Sequence, residues 1–152
     1  MKTNTELTSL LSGVAGEYYV AAELSARGYM ASITLRNTKG VDILCSNDDA
    51  SKTVAIQVKT NKHSNREWVL NEKCEKNQAE NFFYVLVNLN DMEKAPDYFV
   101  IPSKTVADQA IKSHRDWLDA PGRKGQAHKD NTMRKFKDTD EEYLNRWDLL
   151  GL

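Results

Sequence analysis

Two short segments carry polar groups at spacings that could place them together. In Thr53-Val54-Ala55-Ile56-Gln57-Val58-Lys59 an extended chain sends Val54, Ile56 and Val58 to one side and Ala55, Gln57 and Lys59 to the other. Residues 41–45 divide the same way, with Val41, Ile43 and Cys45 on one face and Asp42 and Leu44 on the other. Between them, Asn47-Asp48-Asp49-Ala50-Ser51 has the composition of a hairpin loop, which pairs the two strands antiparallel. With matching register, Asp42 shares a face with Gln57 and Lys59. A carboxylate, an amide oxygen and an ammonium then meet at one end of a two-stranded ribbon. Aspartate is depleted in strands, so its position needs a reason. Two are open here: a polar site, or the wet face of a half-exposed sheet with Asp42 placed by the turn at Gly40.

The surrounding elements follow from periodicity. Residues 5–27 read as a helix, with Leu7, Leu10, Leu11, Val14, Tyr18, Ala21, Ala22 and Leu24 recurring at three- and four-residue steps and Gly28 closing it. Gly13 and Gly16 lower helix propensity inside it; they mark either a break or a close approach of another backbone. Residues 29–35, 41–45 and 53–59 read as strands, with a turn at Asn37-Thr38-Lys39-Gly40. Residues 68–70 form a short fourth strand, 82–89 a buried central strand, and 98–101 its antiparallel neighbour. Ser103 is a candidate N-cap for a helix with Val106, Ala107, Ala110 and Ile111 on one face. Residues 119–137 read as a long basic loop, and 140–150 as a short final helix with Tyr143, Leu144, Trp147 and Leu150 on its apolar face. The order predicts an α/β sandwich with a mixed central sheet flanked by helices.

Composition narrows the function classes. The chain has 152 residues, 40% hydrophobic and 28% charged, which fits one globular domain over 1–152. No apolar run nears membrane-spanning length, and no signal-peptide pattern opens the chain, so a cytoplasmic protein is expected. Cys45 and Cys74 lack metal-type spacing. His63, His114 and His128 are scattered, which argues against zinc. Neither a G-x-S-x-G elbow nor a P-loop occurs. Trp68, Trp117 and Trp147 are expected to pack rather than to stack on bases. The net charge of −1 does not by itself advertise a nucleic-acid binder. Its distribution is uneven: residues 121–137 hold six basic residues (Arg123, Lys124, Lys129, Arg134, Lys135, Lys137) against one acid, Asp130. A second basic cluster is Lys59, Lys62 and Arg66. Each cluster is either solvated surface or a phosphate-binding surface.

Gly40-Val41-Asp42, a hairpin, then Gln57-Val58-Lys59-Thr60, preceded by a helix with Glu17 in Gly16-Glu17-Tyr18-Tyr19-Val20-Ala21-Ala22, resembles the core of the PD-(D/E)XK nucleases. It is similar to the archaeal Holliday-junction resolvases and the Mrr-like restriction endonucleases over roughly the first 60 residues. The resemblance implies a restriction-endonuclease-like fold and a metal-dependent endonuclease acting on DNA. It implies Mg²⁺, with Mn²⁺ as a substitute, held by Asp42, Gln57, the main-chain carbonyl of Val58 and Glu17. Lys59 would orient the attacking water and offset negative charge. Thr60, Lys62, Arg123, Lys124, Lys129, Arg134 and Lys135 become the expected nucleic-acid contacts. The sequence departs from the commonest pattern at Gln57, where Glu or Asp is usual, so the site carries one negative charge fewer. Val41 stands where the name-giving proline would be. A homodimer, which reaches both strands of a duplex by symmetry, and a separate specificity partner are further expectations. The alternative is a nuclease-fold protein that binds nucleic acid or a partner protein without cleaving.

Overall fold

The computed structural model describes residues 7–35 and 39–152. Residues 5–6 of the expected helix and Asn37 and Thr38 of the expected turn lie outside the described residues.

Helix α1 spans Ser9–Ala26. The hydroxyl of Thr8 caps it by accepting from the Leu11 N–H at 3.2 Å. It ends where Gly28 takes φ +89°, a conformation that costs a residue without a side chain little. The row it buries is Ser12, Gly16, Val20 and Leu24, not the broad apolar stripe read from the sequence. Leu10, Leu11 and Tyr18 are exposed. The contact line of α1 is small at Ser12 and Gly16, so close approach to the sheet, rather than side-chain bulk, sets how the helix is turned.

The sheet is built from β1 (Met30–Ile33), β2 (Ile43–Ser46), β3 (Thr53–Asn61), β5 (Phe82–Asn88) and β6 (Asp97–Pro102), in the order β1-β2-β3-β5-β6. Only β3 and β5 run parallel; the other pairs are antiparallel. This is the mixed sheet expected from the order of elements. A separate two-stranded ribbon joins β4 (Glu67–Asn71) to β7 (Met133–Lys137). Helix α2 (Ser103–Asp119) follows β6.

Two cores sandwich the sheet. On one face Val20 and Leu24 of α1 pack on Ile43, Val54, Ile56, Val58 and Val85. On the other, Tyr84, Leu86, Phe99 and Ile101 meet Val106 and Ala110 of α2 and Trp68, Leu70 and Phe136 of the ribbon. Strand β5 is therefore buried along nearly its whole length, as a central strand covered on both sides must be.

Three sequence expectations are corrected. Residues 119–137 are not all loop: Met133–Lys137 is a strand, with Arg134 and Phe136 buried and Lys135 and Lys137 exposed. The period of two is disguised because one inward residue is an arginine. Ser103 is the first helical residue rather than the cap, which is Pro102. The Ser103 hydroxyl instead accepts from the Ala79 N–H at 3.2 Å and donates to the Ala79 carbonyl at 3.0 Å. Residues 140–150 form turns and a single 3-10 turn, Trp147–Leu150. Positive φ values at Glu141 and Asn145 forbid a continuous helix there, and the Asp138 carboxylate accepts from the N–H groups of Glu142 and Tyr143, each at 2.9 Å. The segment pairs along β6 instead, with Phe99 opposite Leu144.

Cys45 and Cys74 are free and buried, and burial pushes each thiol up to about 11. Among the described residues, no helix is long and apolar enough to cross a membrane.

Candidate functional site

Strand β2 pairs with β3 through Ile43 opposite Ile56 and Leu44 opposite Ala55. Contact with β3 continues one residue past β2, out of the regular register. The Asp42 N–H donates to the Ile56 carbonyl at 2.8 Å. The next donor along that edge, the Val58 N–H, meets Asp42 Oδ2 at 2.7 Å. A side-chain carboxylate thus takes the place that a main-chain carbonyl would hold in a longer strand, in a charge-assisted bond. A residue in an antiparallel pair turns its N–H and C=O to the same edge, so the Val58 carbonyl is directed toward Asp42 as well. Asp42 lies before β2 and departs from its alternation: its N–H turns to β3, while its C=O accepts from the Thr34 N–H at 2.9 Å. Ala55, Gln57 and Lys59 lie together on one face of β3.

This face is the floor of a cleft of about 780 Å³. Gln57 and Lys59 line it beside Tyr84, which stands opposite Gln57 in the parallel register with β5. The Tyr84 hydroxyl is raised by burial, so it stays protonated. One wall is Gly40–Val41, leading directly into Asp42. The other is the end of β4, the 3-10 turn Glu72–Glu75 and the chain up to Asn81.

Glu17 arrives from the other layer. Its neighbour Gly16 is buried against β3, where an added Cβ would lie 1.9 Å from Thr60 Oγ1. The glycine therefore permits a close approach and marks no break in α1. Glu17 itself is half-buried and leaves the helix beside the Thr60 end of β3.

The sequence-derived nucleic-acid residues are scattered. Thr60 points to α1, away from the cleft, and its buried Oγ1 has no hydrogen-bond partner among the described residues. Lys62 follows β3, half-buried. Arg123, Lys124 and Lys129 are exposed on the connection between α2 and β7. That connection is tied to α2 by His114 Nε2 and Asp130 Oδ1 at 2.7 Å. Trp117 lies between His114 and His128, its ring centroid 5.6 Å and 4.2 Å from theirs. It is 37% exposed, unlike Trp68 and Trp147, which pack in the cores as expected. Lys135 faces outward and pairs with Glu67 at 2.7 Å. Arg134 has an internal role: it is 6% exposed, ion-paired with Glu75, and donates to the carbonyls of Asn131 and Met133 at 2.7 and 2.9 Å. Apart from the nearby Thr60 and Lys62, none of these comes to Gln57 and Lys59. The residues that do, Lys73 and Asn77 among them, lie in a polar stretch without periodicity. Its one legible signal was its place between β4 and the buried strand β5.

Among the described residues, no group of three or more His, Cys, Asp or Glu is placed to hold a metal. The end of the β2–β3 ladder offers a different donor set: one carboxylate, one amide oxygen and one main-chain carbonyl. Asp42 is half-buried, and its hydrogen bond from Val58 leaves further lone pairs on the carboxylate. Such all-oxygen donors fit magnesium, which keeps several waters and is commonly held by one or two carboxylates. They do not suit zinc in a structural site.

The fold is a restriction-endonuclease-like α/β sandwich, a five-stranded mixed sheet between helices. It is similar to that of the bacterial homing endonuclease I-Ssp6803I, at a TM-score of 0.54 and 15% identity, covering 96% of this chain and 94% of that one. It is likewise similar to Hjc of Archaeoglobus fulgidus, a Holliday junction resolvase from an archaeal hyperthermophile, at a TM-score of 0.55 and 16% identity, covering 91% of this chain and 95% of that one. No family model and no curated protein sequence matches the chain.

Proposed function

We propose that the protein is a metal-dependent endonuclease that hydrolyses phosphodiester bonds in DNA. The observation that supports this is the bond from the Val58 N–H to Asp42 Oδ2 at 2.7 Å, which anchors a carboxylate to β3 between Gln57 and Lys59, two residues that line the cleft. Magnesium, or manganese in its place, would be held by Asp42, the Gln57 amide oxygen and the Val58 carbonyl, with Glu17 bound directly or through a water. Such an ion lowers the pKa of a bound water and withdraws charge from a phosphoryl oxygen. The chain's own groups do the rest. Asp42, anchored on main chain, keeps its geometry when substrate enters. Lys59 projects from a strand rather than a loop; its ammonium orients the attacking water and offsets charge developing on the phosphate.

The reading includes a homodimer, since two copies related by symmetry address both strands of a duplex, a cytoplasmic setting, and a separate partner for target choice. A second reading rests on Gln57. A neutral amide where an acid is usual weakens cation binding, and the fold would then hold nucleic acid or a partner protein without cutting. The test is cleavage of supercoiled plasmid and of a four-way junction with Mg²⁺ or Mn²⁺ against EDTA. Metal-dependent nicking lost in both Asp42→Ala and Lys59→Ala supports the first reading. Intact DNA binding without cleavage supports the second. Cleavage that survives both substitutions refutes the site.

A further inference from the structure

We propose that the cleft wall formed by residues 71–81 is the nucleic-acid grip of this protein, with Lys73 on a backbone phosphate and Asn77 on the adjoining sugar or base edge. The inference rests on the nuclease reading above. It goes beyond it by moving the grip away from the basic segment 121–137.

Charge is the first argument. The charged side chains lining the cleft are Lys39, Lys59 and Lys73, with no carboxylate among them, in a chain whose net charge is −1. A cleft of one sign between low-dielectric walls concentrates a polyanion.

Availability is the second. Several cations elsewhere are committed to acids: Arg66 to Glu141 and, within 121–137, Arg134 to Glu75 and Lys135 and Lys137 to Glu67, whereas Arg123, Lys124 and Lys129 of that segment make no such pair among the described residues. Among the described residues, no such pair engages Lys39, Lys59 or Lys73. Their ammonium groups can meet phosphate without first breaking an internal bond.

The third is the disposition of amides. Asn71 Oδ1 accepts from the Lys73 N–H at 3.1 Å, Gln78 Nε2 donates to the Glu75 carbonyl at 3.1 Å, and Asn81 Nδ2 donates to the Thr53 carbonyl at 3.4 Å. These three shape the wall. Asn77 is different: among the described residues its side-chain amide has no hydrogen bond. It reaches across the cleft, its Nδ2 3.8 Å from where a Cβ on Gly40 would stand, two residues before Asp42. An amide offers donors and an acceptor together, which suits base edges and sugar oxygens.

The wall is also preorganised. Cys74 is buried beneath it, the Arg134–Glu75 pair pins its 3-10 turn to the ribbon, and the reciprocal bonds between Ser103 and Ala79 hold its far end to α2. Binding loses less entropy when the contacting chain is already fixed.

The experiment is fluorescence anisotropy with a labelled duplex DNA and a labelled four-way junction, in EDTA to prevent cleavage, over a series of salt concentrations. Lys73→Ala should weaken binding to both probes roughly five- to tenfold and reduce the slope of log affinity against log salt by about one. Lys73→Glu should weaken it further, Lys73→Arg should bind as wild type, and Asn77→Ala should lose affinity with the slope unchanged. Lys73 and Asn77 are exposed, so melting temperatures should not move. Unchanged affinity and slope in both Lys73→Ala and Lys73→Glu, with loss in the double variant Arg123→Ala/Lys124→Ala, would return the grip to the 121–137 segment and overturn the proposal. If wild type binds neither probe, the nuclease reading itself fails, and this inference with it.

Discussion

Gly16 and Thr60 are in contact so close that a methyl group on the glycine would have no room: its Cβ would stand 1.9 Å from Thr60 Oγ1 and 3.0 Å from Thr60 Cβ. Gly16 precedes Glu17, and Thr60 follows Lys59. The contact therefore sets how close α1 lies to β3. Gly16→Ala gains about 1 kcal/mol in helix propensity but must push α1 off β3. We expect a net destabilisation of about 1–3 kcal/mol in urea denaturation and a lowered cleavage rate. The double variant Gly16→Ala/Thr60→Ala should recover most of the stability, with a coupling of about 1–2 kcal/mol. Additive losses would show that the two residues do not press on each other.

The anchoring of Asp42 separates charge from hydrogen bonding. Asp42→Asn keeps an acceptor for the Val58 N–H but removes the negative charge. Asp42→Ala removes both and leaves a half-buried donor without its partner, which costs about 1–3 kcal/mol. Cleavage should fall by at least about 100-fold in both variants, while only Asp42→Ala should melt measurably earlier. At the neighbouring position, Gln57→Glu restores a charged ligand. Half-maximal cleavage should then need roughly tenfold less Mg²⁺. An unchanged magnesium requirement would mean that residue 57 is not part of the ion's environment.

Arg134 and Lys135 are adjacent in a run of basic residues but differ in what they hold. Arg134→Ala should cost about 2–4 kcal/mol, because it strands Glu75 and two carbonyls. Lys135→Ala removes a partly exposed pair with Glu67 and should cost less than about 1 kcal/mol. Equilibrium denaturation of the two variants checks the contrast. Equal costs would remove the structural role assigned to Arg134.

The connection from α2 to β7 is expected to loosen in acid. The hydrogen bond from His114, then that from the Asn131 N–H, lowers the Asp130 carboxyl below its ordinary value. A carboxyl with a depressed folded value contributes its stability above its unfolded value and loses it as pH falls through the folded one. The tether should thus survive to lower pH than an ordinary carboxylate would allow, and then release. Trp117, stacked on His128, reports the release by its fluorescence, measured as the difference from Trp117→Phe. Asp130→Asn should abolish the acid transition in that difference signal. A transition unaltered in Asp130→Asn would place its origin elsewhere.

The sequence by itself determined the β2–β3 hairpin and the common face of Ala55, Gln57 and Lys59, because alternation in a strand and a hairpin register are local properties of the chain. It likewise determined the buried strand β5 and the order of elements that makes a mixed sheet. Tertiary structure decided what depends on contacts between distant segments. Strand β7 was hidden because Arg134 occupies an inward position, where its charge is met by Glu75, 59 residues earlier. Residues 140–150 do not form a helix because the partly buried Tyr143 and Leu144 lie along β6, whose partner backbone overrides a helical period. The burial of α1 along Ser12 and Gly16 rather than along its leucines follows from how close β3 lies. The wall over the cleft has no periodicity to read at all: Lys73 and Asn77 come to Gln57 and Lys59 only because the parallel pairing of β3 with β5 forces the chain between them to cross that face of the sheet.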